Sequence, residues 1–307
     1  MAKNTGGNSL KLKKFLNRDN TVGYVFALPF IIGFLGFTIV PMIVSLYFSF
    51  TNYNMISAPQ WVGLKNYVRM FTEDNRFVNS VGVTLKYVFI SVPLKLIFAL
   101  IVAFLLTRKS KAVSVYRSVY YIPSLIGGSV AVSLVWKQLF STKGLINNIL
   151  HSLGMARISW FGDEHAAVWP LILMAIWQFG SSMIIFAAGL TQIPASYYEA
   201  ARIDGAGIVK QFFFITLPSL SPVILFNLVM QMITGFMSFT QTYVISNGTG
   251  DPNDATNFFA LYIYNQAFKY FDMGYASAMA WILLILISLI TFIIFKTSST
   301  WVFYENE

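Results

Sequence analysis

The sequence predicts an all-α, polytopic membrane protein with six transmembrane helices. Apolar residues fill 56% of the 307 positions and charged residues only 11%, where an ordinary soluble domain is about a quarter charged. The apolar residues gather in long uncharged runs, and about 20 such residues in a helix cross a bilayer. Runs of this kind take up most of the chain, so a large soluble catalytic domain has no room.

The chain opens with a basic tail, 1–20, that carries Lys3, Lys11, Lys13, Lys14 and Arg18. An apolar run follows from about Val22 to Phe50. It exceeds the ~7–15 residue core of a signal peptide and lacks a clear small-x-small cleavage site, so it reads as a retained anchor. The later apolar windows centre on 82–106, 117–140, 167–193, 218–246 and 275–296. Together these give a membrane domain over 21–300 and a short tail at 301–307. Pro29, Pro41 and Pro123 fall inside windows, where neighbouring helices or water can satisfy the carbonyls they free.

Orientation follows from Lys and Arg, which concentrate on the cytoplasmic side of membrane proteins. With the N-terminus inside, twelve fall in inner segments and seven in outer ones, and the inner 108–117 loop (Arg108, Lys109, Lys111, Arg117) contains no acid. Both termini and the polar loop 194–217 are therefore expected in the cytoplasm. The net charge of +9 is then a topology signal, and no basic-aromatic patch points to nucleic acid. The absence of Cys excludes disulfides and thiol chemistry, and His151 and His165 are too few for a His-rich metal site. Abundant Phe, Tyr and Trp, at 17%, suit lipid-facing surfaces and interfacial belts.

Polar residues inside the windows are the candidate substrate pathway. The fourth window offers Trp177, Gln178, Phe179, Ser181 and Ser182. The fifth offers Asn227, Gln231, Thr234, Gly235, Ser238 and Gln241 at helical spacing. Gln178, Phe179, Ser182, Gln231, Gly235 and Ser238 are singled out, with Gln178 and Ser182 four apart and adjacent on a helix. Such residues also join membrane helices to one another without touching any solute. Neither stripe contains a charge, which favours a neutral solute. Lys86 lies near the outer end of the second window, where its amine can reach the interface. Lys95 lies deeper with no acid in any window to pair with it, so it either serves transport or faces a wet cavity or backbone carbonyls.

The loop before the fifth window reads as a short docking helix. Pro194 ends the fourth window, Ser196 can cap the helix, and Glu199 in its first turn suits the positive helix end. Ala200 and Ala201 are strong helix formers with small side chains, and Gly205 and Gly207 permit a turn at positive φ. Pro218 and Pro222 mark the start of the fifth window.

Glu199-Ala200-Ala201, followed in register by Asp204-Gly205-Ala206 and by Phe212-x-x-Ile215-x-Leu217-Pro218, resembles the EAA signature loop of permease subunits in bacterial ATP-binding cassette (ABC) importers. Val62-Gly63-Leu64-Lys65-Asn66-Tyr67, Tyr116-Arg117 with Ile122-Pro123, and Gly144-Leu145-Ile146-Asn147-Asn148 are similar to its carbohydrate-uptake branch. The likeness runs over roughly 20–300 and is closest to the first permease of the maltose and glycerol-3-phosphate type. The large extracytoplasmic insertion and extra N-terminal spans of some maltose permeases are absent, which leaves the sugar open.

The resemblance implies a type I ABC importer permease fold in the bacterial cytoplasmic membrane. It also implies a heterodimer with a second permease, an ABC ATPase docked on the loop, an extracytoplasmic solute-binding protein and a sugar substrate moved by alternating access. Glu199 would face basic residues of the ATPase groove, Gly205 would permit the turn, and the spans flanking the loop would carry the sugar site. No cofactor is expected on this chain, which lacks a Gly-x-x-x-x-Gly-Lys-Ser/Thr phosphate loop; ATP and Mg would sit on the partner ATPase. The outer loop Trp160-Phe161-Gly162-Asp163-Glu164-His165 reads as a solvated loop that could receive the binding protein. The alternatives are an ion-coupled secondary transporter working alone and a membrane-embedded transferase acting on a lipid-linked substrate.

Overall fold

The computed structural model describes residues 19–106 and 111–303. The expected basic tail as far as Arg18, the loop cations Arg108 and Lys109, and residues 304–307 lie outside the described residues. Within them the structure is built of helices, and the one β feature is a bridge between Thr51 and Trp61.

Four helices are long and apolar enough to cross a membrane: Phe26–Ser49 (span 1), Asn75–Leu105 (span 2), Ser221–Ile245 (span 5) and Met273–Ser298 (span 6). Two bent pairs complete the set of six if each pair is one crossing. Span 3 joins Lys111–Ile126 to Val130–Leu139 with a bend of 99°. Span 4 joins Val168–Trp177 to Gly180–Gln192 with a bend of 40°. Hydropathy predicts each of these as a continuous helix, and the structure corrects that. The break in span 3 comes at Gly127-Gly128-Ser129 and not at Pro123, with the Ser129 hydroxyl accepting from Val132 N–H to start the next helix. Span 2 begins at Asn75, ahead of its apolar window, because Asp74 caps it by accepting from Phe77 N–H at 3.0 Å. At 31 residues it is about 46 Å long and outreaches the ~30 Å hydrocarbon layer.

The prolines are absorbed locally. A π-helical turn, Leu35–Ile39, runs up to Val40-Pro41, and another, Phe212–Thr216, runs up to Leu217-Pro218. The residue before each proline donates to the carbonyl five residues back. A proline ring collides with the carbonyl four residues upstream, and widening that turn by one residue relieves the collision without ending the helix.

The main core lies between spans 2, 4 and 5, where Val88, Val92, Ala99 and Ala103 meet Ile172, Met183, Phe186 and Ala187 on one side and Met232 and Phe236 on the other. Small residues on span 2 let the helices approach closely, the usual basis of packing where lipid is as apolar as the helix. Span 1 contributes nothing to that core: its apolar window is wholly unburied within the chain, and its last turns lie along span 6.

A polar cluster closes the end of the bundle away from the 194–217 loop. Asp74 Oδ2 accepts from the hydroxyls of Tyr262 at 2.7 Å and Tyr275 at 2.5 Å. Burial, reinforced by the bond to Asp74, pushes the Tyr262 phenol above its ordinary pKa and keeps it a donor. Arg69 pairs with Asp272 at 2.7 Å and lies 4.2 Å from the Tyr275 ring centre. Arg76 reaches Asp254 through two nitrogens. These contacts join the starts of spans 2 and 6 to the segment between spans 5 and 6.

Candidate functional site

Spans 2, 4 and 5 and the break in span 3 surround a cavity of about 210 Å³. Span 5 supplies most of its polar wall. Its helix stops at Phe236 and restarts at Thr240, so Gln231, Thr234, Gly235 and Ser238 face the cavity together with the restarted turn at Gln241. Asn227 does not join them; it is buried and turned back onto Val223 O at 3.0 Å.

The break in span 4 decides which of its residues reach the cavity. Gln178 is the C-cap of the first half and lines the wall, its amide donating to Met174 O at 3.2 Å and Gly127 O at 3.4 Å. Ser182 belongs to the second half and is fully buried, its hydroxyl without a hydrogen-bond partner. Phe179 packs edge-on against Phe98 at 4.7 Å and beside Tyr120. Gln178 and Ser182 are therefore not neighbours on one helix, contrary to the sequence expectation, because the helical register is interrupted between them.

A hydroxyl from span 3 heals that interruption. Ser124 Oγ donates to Gln178 O at 3.1 Å and accepts from Ser181 N–H at 2.9 Å. A hydroxyl can do both at once, so one side chain satisfies the backbone carbonyl and amide that the break exposes. The backbones approach closely here: a Cβ on Gly180 would collide with Tyr120 O, and one on Gly127 with the Gln178 side chain.

Lys95 also lines the cavity, its Nζ donating to Gln231 Oε1 at 2.8 Å. The sequence offers Lys95 no acid in any window and leaves a wet cavity or backbone carbonyls as its surroundings; in the structure it meets a side-chain amide oxygen at the edge of a cavity. Tyr87 and Ser91 of span 2 line the same wall and escaped notice. The signal was available, for 87, 91 and 95 stand one helical turn apart. The cavity thus contains a cation among neutral hydrogen-bonding groups, whereas the two stripes read alone held no charge.

The loop 194–217 lies at one end of the bundle. Its helix is Ala195–Ile203 with Pro194 at the N-cap and no side-chain cap bond, so Ser196 sits inside the helix and does not cap it. Glu199 stands in mid-helix, exposed, and not in the first turn. The other end is a Schellman motif: Gly205 N–H bonds Arg202 O at 3.0 Å and Ala206 N–H bonds Ala201 O at 2.8 Å, with Gly205 at φ +77°. Gly207 is extended, at φ −68° and ψ 167°, so its freedom is not used. The Gln211 amide donates to Ala206 O at 2.7 Å, and the Tyr198 hydroxyl meets Thr216 Oγ1 at 2.9 Å. Phe212 packs edge-on against Phe104 at the far end of span 2. The helix itself buries none of its residues; its last residue, Ile203, and Ile208 and Val209 beside it are largely exposed.

In the loop before span 4, Asp163 Oδ1 accepts from His165 N–H at 2.9 Å and Glu164 accepts from Asn253 at 2.6 Å. Among the described residues no group of three or more His, Asp or Glu could hold a metal ion.

Residues 70–303 match the family described as "Binding-protein-dependent transport system inner membrane component". The chain is 51% identical over 303 residues to the Probable ABC transporter permease protein YesP of Bacillus subtilis (strain 168), covering 98% of each. It is 32% identical to the Arabinooligosaccharides transport system permease protein AraP of the same organism, over 90% of this chain and 88% of that one. In structure it resembles a chain of a bacterial ABC transporter involved in the import of the acidic polysaccharide alginate, with TM-score 0.76, 22% identity, and coverage of 94% and 98%. That last likeness is one of fold, and it gives the chain the type I ABC importer permease architecture. Matched by the family over most of its length and by a relative at half identity from end to end, this multi-pass chain belongs to the binding-protein-dependent transport system inner membrane components, the permease subunits of ABC importers.

Proposed function

We propose that the chain forms half of the pore of an ATP-driven sugar importer and receives its energy through the helix Ala195–Ile203. The observation that carries this reading is the solvent-exposed helix, which Tyr198 ties to Thr216 in the helical segment 212–219; that segment leads directly into span 5, the span that walls the cavity. A nine-residue helix with no buried residue is too short to be stable by itself, since isolated helices under about 12–15 residues are marginal in water. Exposed apolar residues beside it mark a surface made for a partner. Glu199, Ala200, Ala201, Asp204, Gly205 and Ala206 are the docking segment for an ABC ATPase, which binds ATP and Mg. Closure of the ATPase moves the loop, span 5 follows, and the cavity changes its accessible side.

Sugar as the solute is supported by the arabinooligosaccharide relative and by the Gln, Ser, Thr and Tyr side chains of the cavity, which suit hydroxyl groups. A second permease completes the pore, and a binding protein delivers the solute from outside; the family description, with its dependence on a binding protein, supports the latter. The loop and both termini lie in the cytoplasm, by the distribution of Lys and Arg.

The test is ATP hydrolysis by the chain in lipid with its co-encoded permease, ATPase and binding protein, across a panel of saccharides. Stimulation by one class establishes coupled import and names the solute. If no ATPase binds, the docking assignment is wrong; if the complex assembles and no saccharide stimulates it, the sugar assignment falls.

A further inference from the structure

The cavity contains one unmatched charge. Lys95 stands twenty residues into the 31-residue helix of span 2, and none of the cavity-lining residues is Asp or Glu. Its side-chain partner is the neutral amide oxygen of Gln231, which occupies one of three ammonium donors and cancels none of the charge. Among the described residues no acid lies within any span except at a capping end, as Asp74 and Asp272 do. A charge within a membrane costs heavily unless an opposite charge or water meets it. Around Lys95, Gln178 and Thr234 keep acceptor oxygens while their donors bond backbone carbonyls, and Ser238 adds a hydroxyl; such neutral groups bind hydroxyls. One cation inside a ring of hydroxyl-binding groups fits a solute with many hydroxyls and one carboxylate.

We propose that the transported saccharide is anionic, of the uronic acid type, that the Lys95 ammonium meets its carboxylate in the cavity, and that Gln231 positions the ammonium. The inference rests on the sugar-importer reading and narrows it, replacing the neutral solute that the polar stripes alone suggested.

The experiment uses the complete complex in proteoliposomes. Uptake and stimulated ATP hydrolysis are measured with uronic acid disaccharides and with their carboxyl-reduced neutral counterparts, after binding of each to the isolated binding protein has been measured separately. The wild type carries the uronates in preference to the neutral sugars. Lys95→Gln lowers kcat/KM for uronate uptake by roughly tenfold or more, and Lys95→Arg restores most of it. Gln231→Glu places a carboxylate on the ammonium and abolishes the preference; it decides the matter if Lys95→Gln fails to co-purify with its partners. Equal uptake of neutral and uronate sugars that the binding protein holds equally well overturns the proposal, because the ammonium then does not select for a carboxylate. Unchanged uronate uptake by Lys95→Gln overturns it too. Silence with every saccharide, charged or neutral, overturns the importer reading itself, whereas uptake of neutral sugars alone overturns only the charge assignment.

Discussion

At Gly205 a single backbone angle holds the proposed docking segment in shape. A Cβ there would touch nothing within 4 Å, yet φ is +77°, so the requirement is conformational and not steric. Placing a side chain in that region costs about 1–2 kcal/mol, more for a β-branched one. Gly205→Val is expected to leave the subunits co-purifying while solute-stimulated ATP hydrolysis falls to the unstimulated level. Gly207→Ala is the control: its backbone is extended with open space around the Cβ position, and stimulation should stay near wild type. Normal stimulation in Gly205→Val would count against the loop's role. The Glu199-Ala200-Ala201 and Gly205 pattern was legible because a Schellman end depends on local sequence. The cap at Ser196 was misread because the N-cap is Pro194, two residues earlier, a shift too small for residue preferences to resolve.

Helix breaks are where sequence and structure diverge at the level of elements. Hydropathy measures composition along a window, and a helix bent by 99° has the same apolar run as a straight one. What ends a helix inside a membrane is the availability of partners for its freed backbone groups, and those come from another element. Ser124 is that partner for span 4. Ser124→Ala should cost about 1–3 kcal/mol, the penalty for leaving buried polar groups unsatisfied, and should be read as a lowered Tm of the purified complex. Ser118→Ala, whose hydroxyl bonds only its own helix at Ser114 O, should change Tm little. Equal Tm values for the two variants would show that the break is satisfied in some other way. Gln178 and Ser182 part for the same reason: once the register breaks after Gln178, a spacing of four no longer means a shared face.

Across the whole molecule, a polar staple at one end opposes the exposed helix of the 194–217 loop at the other. Asp74 caps span 2 and accepts from two tyrosines on other elements, whereas Arg76–Asp254 is a partly exposed pair, with side chains 44% and 24% exposed. Asp74→Ala should cost about 3 kcal/mol, from a lost cap and two hydrogen bonds to a charged group. Arg76→Ala should cost under about 1 kcal/mol after solvent screening. Thermal unfolding of the two variants side by side checks the order, and a reversal would place the staple at the surface pair. By itself the sequence determined the membrane class, the apolar windows, the family and the local shape of the 194–217 loop. These depend on composition, on periodicity within a segment and on a motif contiguous in the chain. Only the tertiary structure decided that Lys95 meets Gln231, 136 positions away, and that a serine of span 3 heals span 4. It alone removed Phe179 and Ser182 from the cavity wall. Each of these depends on which helix packs against which, and in a bilayer that choice rests on close approach and on hydrogen bonds between segments, to which hydropathy is blind.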